Sequence, residues 1–294
     1  MPSVKVVNGK QIVVEALDPG QRFKRFLAKP LLQMRYNREI ILAILRRELA
    51  SRFTGSAGGW LWAVAAPLFA IAVYTFAFTT KLQMTFVGEQ GQATSQFDYA
   101  LFIFGGLIAY SFFSEMAFRG PSLLHEYAHF IKQTIFPSDM LAVISTLRAA
   151  AYTGIGAIVM LICIAAVKGG LPWTVIFVPL IFIPLAAFLM GLSWFLSAIG
   201  AFTRDAGYLM INIVPLFMFL TPVFFTHTSR PPPWDVLFYL NALTAYVEVM
   251  RNLVLTGVLP NPLVVLWMLV TSIFTFYFGY WFFDRYRNVI VDVI

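Results

Sequence analysis

The segment HEYAH, from His125 to His129, contains the residue types in this chain that are best suited to chemistry. In an H-E-x-x-H pattern on a helix, two histidines one turn apart bind zinc, and the glutamate activates a water molecule. A catalytic zinc also needs a third protein ligand. The segment therefore predicts a metalloprotease only if the elements around it supply that ligand.

The composition places this segment in a membrane protein. Of the 294 residues, 60% are hydrophobic and only 12% are charged. A soluble domain of this length carries about a quarter charged residues. The apolar residues form long blocks, and a helix needs about 20 of them to cross the hydrocarbon layer. The sequence predicts an all-α, polytopic membrane protein.

Six transmembrane helices are predicted, followed by a short tail over residues 285–294. Their approximate bounds are Trp60–Thr80, Tyr99–Phe118, Met140–Val167, Trp173–Phe202, Tyr208–Phe225 and Leu263–Phe283. Eleven of the 21 lysines and arginines precede the first span, and five more fall in segments on the same side, against four on the opposite side. This positive-inside bias predicts that both termini are cytoplasmic, and it explains the net charge of +7 without a nucleic-acid partner.

Two further elements flank the predicted spans. Residues 1–29 form a polar cytoplasmic arm, and residues 30–56 contain an amphipathic basic helix that we expect along the membrane surface. An ordinary solvated helix packed on a partner is the alternative. Residues 231–260 are apolar but interrupted by charges, which favours a re-entrant hairpin in the outer leaflet. Two more complete spans would give the same orientation.

Two charges fall inside predicted spans, Glu115 in the second and Arg148 in the third. Ionisable residues at membrane depth are expected to pair or to serve a function. Because the two helices are antiparallel neighbours, an intramembrane pair between these residues is feasible. Structural pairing, or snorkelling of the arginine to the surface, is the alternative to a role in transport.

The elements around HEYAH do not supply an obvious third zinc ligand. The only other histidine, His227, falls on the opposite side of the membrane, and neither Asp18 nor Asp205 has supporting spacing. Residues 122–133 instead predict a short amphipathic helix on the cytoplasmic surface, with a polar face suited to a partner protein. A zinc membrane protease using His125, Glu126 and His129 is retained as an alternative.

The segment RELASRFTGSAGGWLWAVAAPLF resembles the start of the permease subunits of polysaccharide-exporting ABC transporters, which export O-antigen, capsule or teichoic acid. Those permeases show a basic segment, then S-x-L-G-x-L-W, then a proline early in the first span. The matching residues here are Ser56, Gly59, Leu61, Trp62 and Pro67, with Gly58 in place of the leucine. FIKQTIFP, Arg204–Asp205 and NALTAYVEVMRNLV are also similar, although Ala242 replaces a proline. The resemblance covers most of Met34–Phe283.

The resemblance implies that residues 57–284 are a permease domain, that two copies of this chain form a homodimer, and that they pair with two ATPase subunits. Mg-ATP would bind those ATPases, because this sequence has no G-x-x-x-x-G-K-[ST] loop. No cofactor is expected on this chain. Residues 122–133 would then be a coupling helix. The implied ATPase-coupling residues are His125, Glu126, His129, Lys132, Gln133, Arg46 and Arg47.

The implied substrate is a lipid-linked or lipid-anchored polysaccharide that moves outward across the bacterial inner membrane. A sliding glycan needs aromatic faces and few strong anchors. The candidate channel-lining aromatics are Trp60, Trp62, Tyr74, Phe76, Phe217, Phe219, Phe224 and Phe225, and the candidate gate loop contains Ser56, Gly58 and Gly59. Lipid-facing aromatics and an ordinary loop are the alternatives. A drug or small-lipid exporter of the same fold remains open, as does a periplasmic or outer-membrane export partner.

Overall fold

The computed structural model describes residues 3–7, 10–14, 19–52, 54–77, 96–133, 137–224 and 235–294. An antiparallel hairpin of β1 (Ser3–Val7) and β2 (Lys10–Val14) begins the chain, with Ser3 opposite Val14. The helices that follow are α1 (Pro19–Tyr36), α2 (Arg38–Ser51), α3 (Leu61–Phe76), α4 (Gln96–Arg119), α5 (Leu123–Glu126), α6 (Ala128–Gln133), α7 (Met140–Lys168), α8 (Val178–Phe202), α9 (Asp205–Leu220), α10 (Asp235–Leu240), α11 (Ala242–Arg251) and α12 (Pro262–Val293). Short 3₁₀ turns precede α5 and α8, and a π-helical turn, Asn252–Thr256, follows α11.

Helix α4 is the central helix of the bundle. Two thirds of its most apolar 18-residue stretch is buried inside the structure. In the other long apolar helices, about one third or less of the corresponding stretch is buried. Helices α3, α7, α9 and α11 all pack against it. A helix that is apolar on every face suits this position, because it has neighbours on every side. An ion pair between Asp98 and Lys168 (3.3 Å) also joins the start of α4 to the end of α7.

Helices α8 and α12 form the closest helix pair. Gly191 on α8 faces Thr275 and Gly279 on α12, and a Cβ atom on either glycine would overlap the backbone of the other helix. Small residues at a helix crossing permit this approach and increase van der Waals contact, which drives helix association in lipid. Nearby, Trp194 is fully buried and donates a hydrogen bond from its Nε1 to the carbonyl oxygen of Asp139 (2.8 Å).

The N-terminal helices are attached to one end of this bundle, which we call the basal end and which also carries α5 and α6. Lys29 on α1 forms an ion pair with Asp284 on α12 (2.6 Å), and Tyr280 donates to Gln33 (2.7 Å). The sequence predicts one helix over residues 30–53. This is wrong in detail, because the structure has two helices that break at Asn37.

The opposite, distal end contains α10 and α11, in the region where a hairpin is predicted. Asn241 caps α11 by accepting a hydrogen bond from the backbone N–H of Leu243, and its amide also donates to Leu220 at the end of α9. The cap forms although Ala242 follows it instead of a proline. Helices of 6 and 10 residues are each too short to cross a membrane. Their depth in the membrane stays a prediction.

Arg251, at the end of α11, connects three segments at the distal end. Its guanidinium group is buried and donates to the carbonyl oxygens of Phe102 (2.9 Å), Pro222 (2.6 Å) and Val223. The charge also lies 3.6 Å from the centre of the Phe102 ring. A side chain at Gly106 would meet the guanidinium at 2.6 Å, so a glycine is needed opposite the arginine.

Four of the six predicted spans are supported by helix length and apolar composition. These helical stretches are Asp98–Glu126, Met140–Lys168, Trp173–Phe202 and Pro262–Ile290. Helices α3 and α9 are apolar but contain only 16 residues each, which corresponds to about 24 Å at 1.5 Å per residue. The first predicted span extends into residues 78–80 and the fifth to Phe225, and these residues lie outside the described part of the chain. The count of six therefore stays a prediction.

We predict that Arg251→Lys lowers the thermal stability of the detergent-solubilised protein. A lysine ammonium group is a point charge and cannot reproduce a planar fork that reaches three carbonyl groups. Each lost hydrogen bond to a charged donor is worth about 1.5–3 kcal/mol. Arg285→Lys, at an exposed position on α12, is the matched control and should melt like the parent protein. Equal melting temperatures for the two variants would contradict the role of Arg251.

Candidate functional site

The predicted coupling helix forms two short helices at the basal end of the structure. Helices α5 and α6 are separated by Tyr127, whose backbone leaves the helical region (φ −110°, ψ 15°). A single continuous helix over residues 122–133 is therefore wrong. The predicted apolar stripe agrees with the structure, because Leu124, Tyr127 and Ile131 are buried against the bundle. The 3₁₀ turn before α5 packs on Gly200 of α8, where a Cβ atom would overlap the backbone of Pro121.

The HEYAH residues do not converge on a metal site. His125 lies 3.2 Å from the carbonyl oxygen of Gly200, and the Glu126 carboxylate accepts hydrogen bonds from Ser122 (2.8 Å) and Arg119 (2.9 Å). His129 is exposed on the next helix. Within the part of the chain that the structure describes, no three His, Cys, Asp or Glu side chains are grouped so that they could hold a metal ion. The Glu126 carboxylate is paired with the Arg119 guanidinium.

The exposed part of the basal end contains the other predicted coupling residues. His129 and Lys132 point away from the bundle, and Arg46 on α2 is exposed as well. The Arg47 guanidinium lies 5.3 Å from the ring centre of Phe130, which connects α2 to α6. The side chain of Gln133 lies outside the described part of the chain. Together, α2 and α6 present one basic surface with an exposed aromatic ring.

Six side chains of alternating charge connect these elements, and we call them the ion-pair chain. In order they are Glu126, Arg119, Glu48, Arg148, Glu115 and Arg52. Arg119, at the end of α4, lies 2.9 Å from Glu126 on α5 and makes a bidentate contact with Glu48 on α2 (2.9 and 3.0 Å). Arg119 therefore connects α4 with α2 and α5.

The second half of the ion-pair chain includes the intramembrane pair predicted from the sequence. The structure brings Arg148 and Glu115 to 2.8 Å. Arg148 also lies 3.4 Å from Glu48, and Glu115 lies 3.4 Å from Arg52, the residue after α2. The four inner side chains are only 11–24% exposed, so water screens their interactions weakly.

Glu48 is the functional candidate that the sequence analysis misses. It is a carboxylate on the same face of α2 as Ile41, Ile44 and Leu45, which pack toward the bundle. Residues three, four and seven positions apart share a helix face. A charge within such an apolar stripe is a detectable signal that an opposite charge lies on the facing helix.

Two cavities meet at the ion-pair chain. The first, of about 650 Å³, is lined by the six residues of the ion-pair chain and by Ser111 and Ser114, among others. The second, of about 440 Å³, lies between α3, α4 and α7 and is lined by Trp62, Tyr74 and Tyr152 among others. Arg52, Ser111 and Glu115 line both cavities. A hydroxyl-rich and charged region therefore continues into an aromatic groove.

The predicted channel-lining aromatics occupy different environments. Trp60, Trp62, Phe76 and Phe219 are about half or more exposed, while Tyr74, Phe217 and Phe224 pack against the apolar core. The ring of Phe217 lies 5.5 Å from that of Phe113 on α4. Phe225 lies outside the described residues. The exposed rings belong to α3 and α9, which both pack against α4.

The predicted gate residues Ser56, Gly58 and Gly59 lie in the segment between α2 and α3. Two glycines of this segment, Gly55 (φ 83°) and Gly59 (φ 47°), have left-handed backbones. A Cβ atom on Gly58 would lie 2.6 Å from Nε1 of the Trp62 ring, so the glycine that replaces the leucine of the pattern leaves space for this ring. Ser56 is exposed. A gating role stays a prediction.

Comparison with known families agrees with this architecture. A family model described as ABC-2 type transporter matches residues 39–255, well over half of the chain. The chain belongs to the ABC-2 type transporter family. As a member, it is a multi-pass integral membrane protein and the transmembrane component of a transporter whose ATPase is a separate subunit. The matched region includes α5, α6 and the complete ion-pair chain.

Relatives of this ABC-2 chain include permeases with a named substrate. It is 24% identical over 234 residues to the O-antigen export system permease protein RfbA of Klebsiella pneumoniae, covering 78% of this chain and 86% of the relative. The protein of the same name from Myxococcus xanthus is 24% identical over 189 residues, covering 64% of this chain and 68% of the relative.

We predict that Glu115 and Arg148 are strongly coupled. Removing Glu115 leaves Arg148 with only the 3.4 Å contact to Glu48, and removing Arg148 leaves Glu115 with only the 3.4 Å contact to Arg52. Each single change should therefore cost up to about 3–5 kcal/mol, whereas removing both should cost much less than the sum of the two. A double-mutant cycle with Glu115→Leu and Arg148→Met, measured by reversible denaturation in detergent, should therefore be far from additive.

The distal pair supplies the control for this cycle. Asp98 and Lys168 are more exposed, with side chains at 27% and 36%, and the coupling between exposed pairs is typically below about 1 kcal/mol. Asp98→Ala and Lys168→Ala should therefore be nearly additive. A basal coupling no larger than the distal one would contradict the proposed pairing.

Proposed function

We propose that this chain is the transmembrane subunit of an ABC exporter that moves a lipid-linked or lipid-anchored polysaccharide, of O-antigen or capsule type, outward across the bacterial cytoplasmic membrane. The observation that carries the proposal is the similarity to O-antigen export permeases across more than three quarters of both chains. ATP would be hydrolysed on a separate subunit, and we expect two copies of each chain in the complex.

The groove between α3, α4 and α7 supports a glycan substrate. Sugar rings have apolar faces that stack on aromatic side chains and hydroxyl edges that bond to polar groups. The groove offers the Trp62, Tyr74 and Tyr152 rings and joins a cavity with serine hydroxyls. None of these groups is a strong isolated anchor, which suits a long polymer that must slide as well as bind.

The exposed faces of α3 and α9 support pairing with a second copy. Both helices pack on α4 by one side, while large apolar residues such as Phe69 and Phe76 on α3 and Ile211 and Phe219 on α9 are exposed. A second copy placed against these faces would cover them and would form a conduit between the two chains. Lipid could cover the same faces, so the stoichiometry needs measurement.

The basal end would dock the ATPase and would therefore be cytoplasmic. The exposed groups of His129, Phe130 and Lys132 lie beside Arg46 and Arg47 on α2. An aromatic ring surrounded by cations is a typical composition for a docking surface. His125 and Glu126 make contacts within the chain and are also exposed, so they remain candidates for the same surface.

We predict that His129→Glu combined with Lys132→Glu weakens ATPase docking, because opposite charge replaces the cationic surface of α6. Co-purification of the ATPase from membranes expressing both subunits measures the effect, and a loss of roughly tenfold corresponds to about 1.4 kcal/mol. Lys24→Glu with Arg25→Glu, at exposed positions on α1, changes the net charge similarly and is the control. Unchanged co-purification of the α6 variant would count against docking at this surface.

We also predict that Trp62→Ala slows export while the complex still assembles. Loss of one stacking surface is worth about 0.5–1.5 kcal/mol, or up to roughly tenfold in rate. Surface glycan appearance after a pulse of precursor measures the rate. Trp173→Ala, an exposed tryptophan before α8 and outside the groove, is the control. Normal export in the first variant, or equal loss in both, would argue against the groove as the path.

A further inference from the structure

We propose that the ion-pair chain transmits movement from the docking helices α5 and α6 to the glycine-containing loop before α3. This inference rests on the proposed function, because it requires an ATPase that moves α5 and α6. It assigns positioning roles to Glu48 and Arg52.

The order of the charges carries the inference. Glu126, at one end, lies on α5, and Arg52, at the other end, lies two positions before the first residue of the loop 54–60. Each inner residue contacts neighbours of opposite charge on both sides, so no pair can separate without changing the next one. The two ends are 39% and 43% exposed, whereas the inner side chains are shielded. A chain with accessible ends and a shielded centre suits a mechanical connection between two surfaces.

Arg52 extends this connection beyond the charges. Its guanidinium group lies 4.1 Å from the ring centre of Tyr152 on α7, and that ring lies 6.5 Å from the ring of Trp60, the residue before α3. Arg52 and Trp60 thus lie at the two ends of the loop and share Tyr152. Tyr152 also donates a hydrogen bond to the carbonyl oxygen of Leu49 on α2 (3.0 Å).

The loop itself can change conformation with little steric cost. Gly55 and Gly59 have positive φ angles, and a side chain at either position would meet no neighbouring atom within 4 Å. Glycine moves between left-handed and right-handed backbone regions more readily than other residues. The loop leads to Trp62 and the aromatic groove. Displacement of Arg52 would therefore change the angle at which α3 borders that groove.

Glu48 is the position at which the effect of charge can be separated from the effect of shape. Glu48→Gln keeps the size and shape of the side chain but removes its charge, whereas Glu48→Asp keeps the charge and shortens the side chain. If Glu48 only fills space, Gln should be the better replacement. If the charge of Glu48 holds the ion-pair chain together, Asp should be the better replacement, because Arg119 and Arg148 both require an anionic partner.

The test uses the full complex of this chain and its ATPase in lipid nanodiscs, with Cys163→Ser as background. Spin labels at Ala128→Cys on α6 and Ala57→Cys in the loop, two positions outside the named docking and gate residues, report the distance between α6 and the loop. We expect this distance to change when a non-hydrolysable ATP analogue is added, and to remain unchanged in Glu48→Gln.

In the Glu48→Gln variant, ATPase co-purification and ATP hydrolysis should stay within about twofold of the background. Export should fall at least roughly tenfold, which corresponds to losing about 1.4 kcal/mol of coupling. Glu48→Asp should recover most of the distance change and of the export.

Glu39→Gln, at an exposed position on α2, is the matched control and should behave like the background. If Glu48→Gln does not assemble, Arg52→Gln at the exposed end of the ion-pair chain replaces it, with the same expected loss. A full distance change in the charge-removed variant, better function with Gln than with Asp, or no nucleotide-dependent change in the background would each overturn the inference.

The inference and the proposed function can fail separately. A distance change that depends on Glu48 in a complex that places no glycan on the cell surface would retain the ion-pair chain and reject the polysaccharide substrate. Normal glycan export by Glu48→Gln with a full distance change would retain the exporter and reject the ion-pair chain.

Discussion

A charged side chain at the border of an apolar helix bundle has lost most of its water and must find an opposite charge. This requirement organises the basal end of the molecule. Glu48 lies on the apolar face of α2, so α2 can pack against the bundle only where Arg119 and Arg148 neutralise it. Those arginines in turn need Glu126 and Glu115. The positions of four helices are therefore set together rather than pair by pair.

The distal half is held by a different interaction. The buried Arg251 guanidinium is stabilised by hydrogen bonds to backbone carbonyl groups of α4 and of the segment after α9. Pro222 and Val223 lie just beyond the end of α9, where carbonyl groups lack helical partners, and one planar group reaches both of them. This contact fixes α11 near the start of α4. The close packing of α8 against α12 through Gly191 and Gly279 completes this frame. Of the helices that border the groove, α3 is the most exposed.

The HEYAH segment shows why a short pattern needs its three-dimensional context. Zinc binding by H-E-x-x-H requires a continuous helix and a glutamate that faces water. Tyr127 interrupts the helix, and Arg119 occupies Glu126. The same residues instead attach α5 to α4 and α8, and leave His129 and Lys132 exposed for a partner.

Composition and pattern alone determined the class of this protein. Long apolar blocks specify membrane helices because hydrocarbon tolerates little else, and the similarity of RELASRFTGSAGGWLW to exporter permeases specified the family before any coordinate was known. The apolar stripe of residues 122–133 and the proximity of Glu115 to Arg148 also followed from helical spacing and antiparallel order.

Only the tertiary structure decided which charges meet and where helices break. The breaks in helix geometry at Asn37 and Tyr127 are visible only in the backbone of the folded chain. The apolar stripe marks Glu48 as a charge that needs a partner, but its partners Arg119 and Arg148 are 71 and 100 positions away along the chain. Which residues so distant in sequence meet depends on how the helices pack, and no local pattern encodes that.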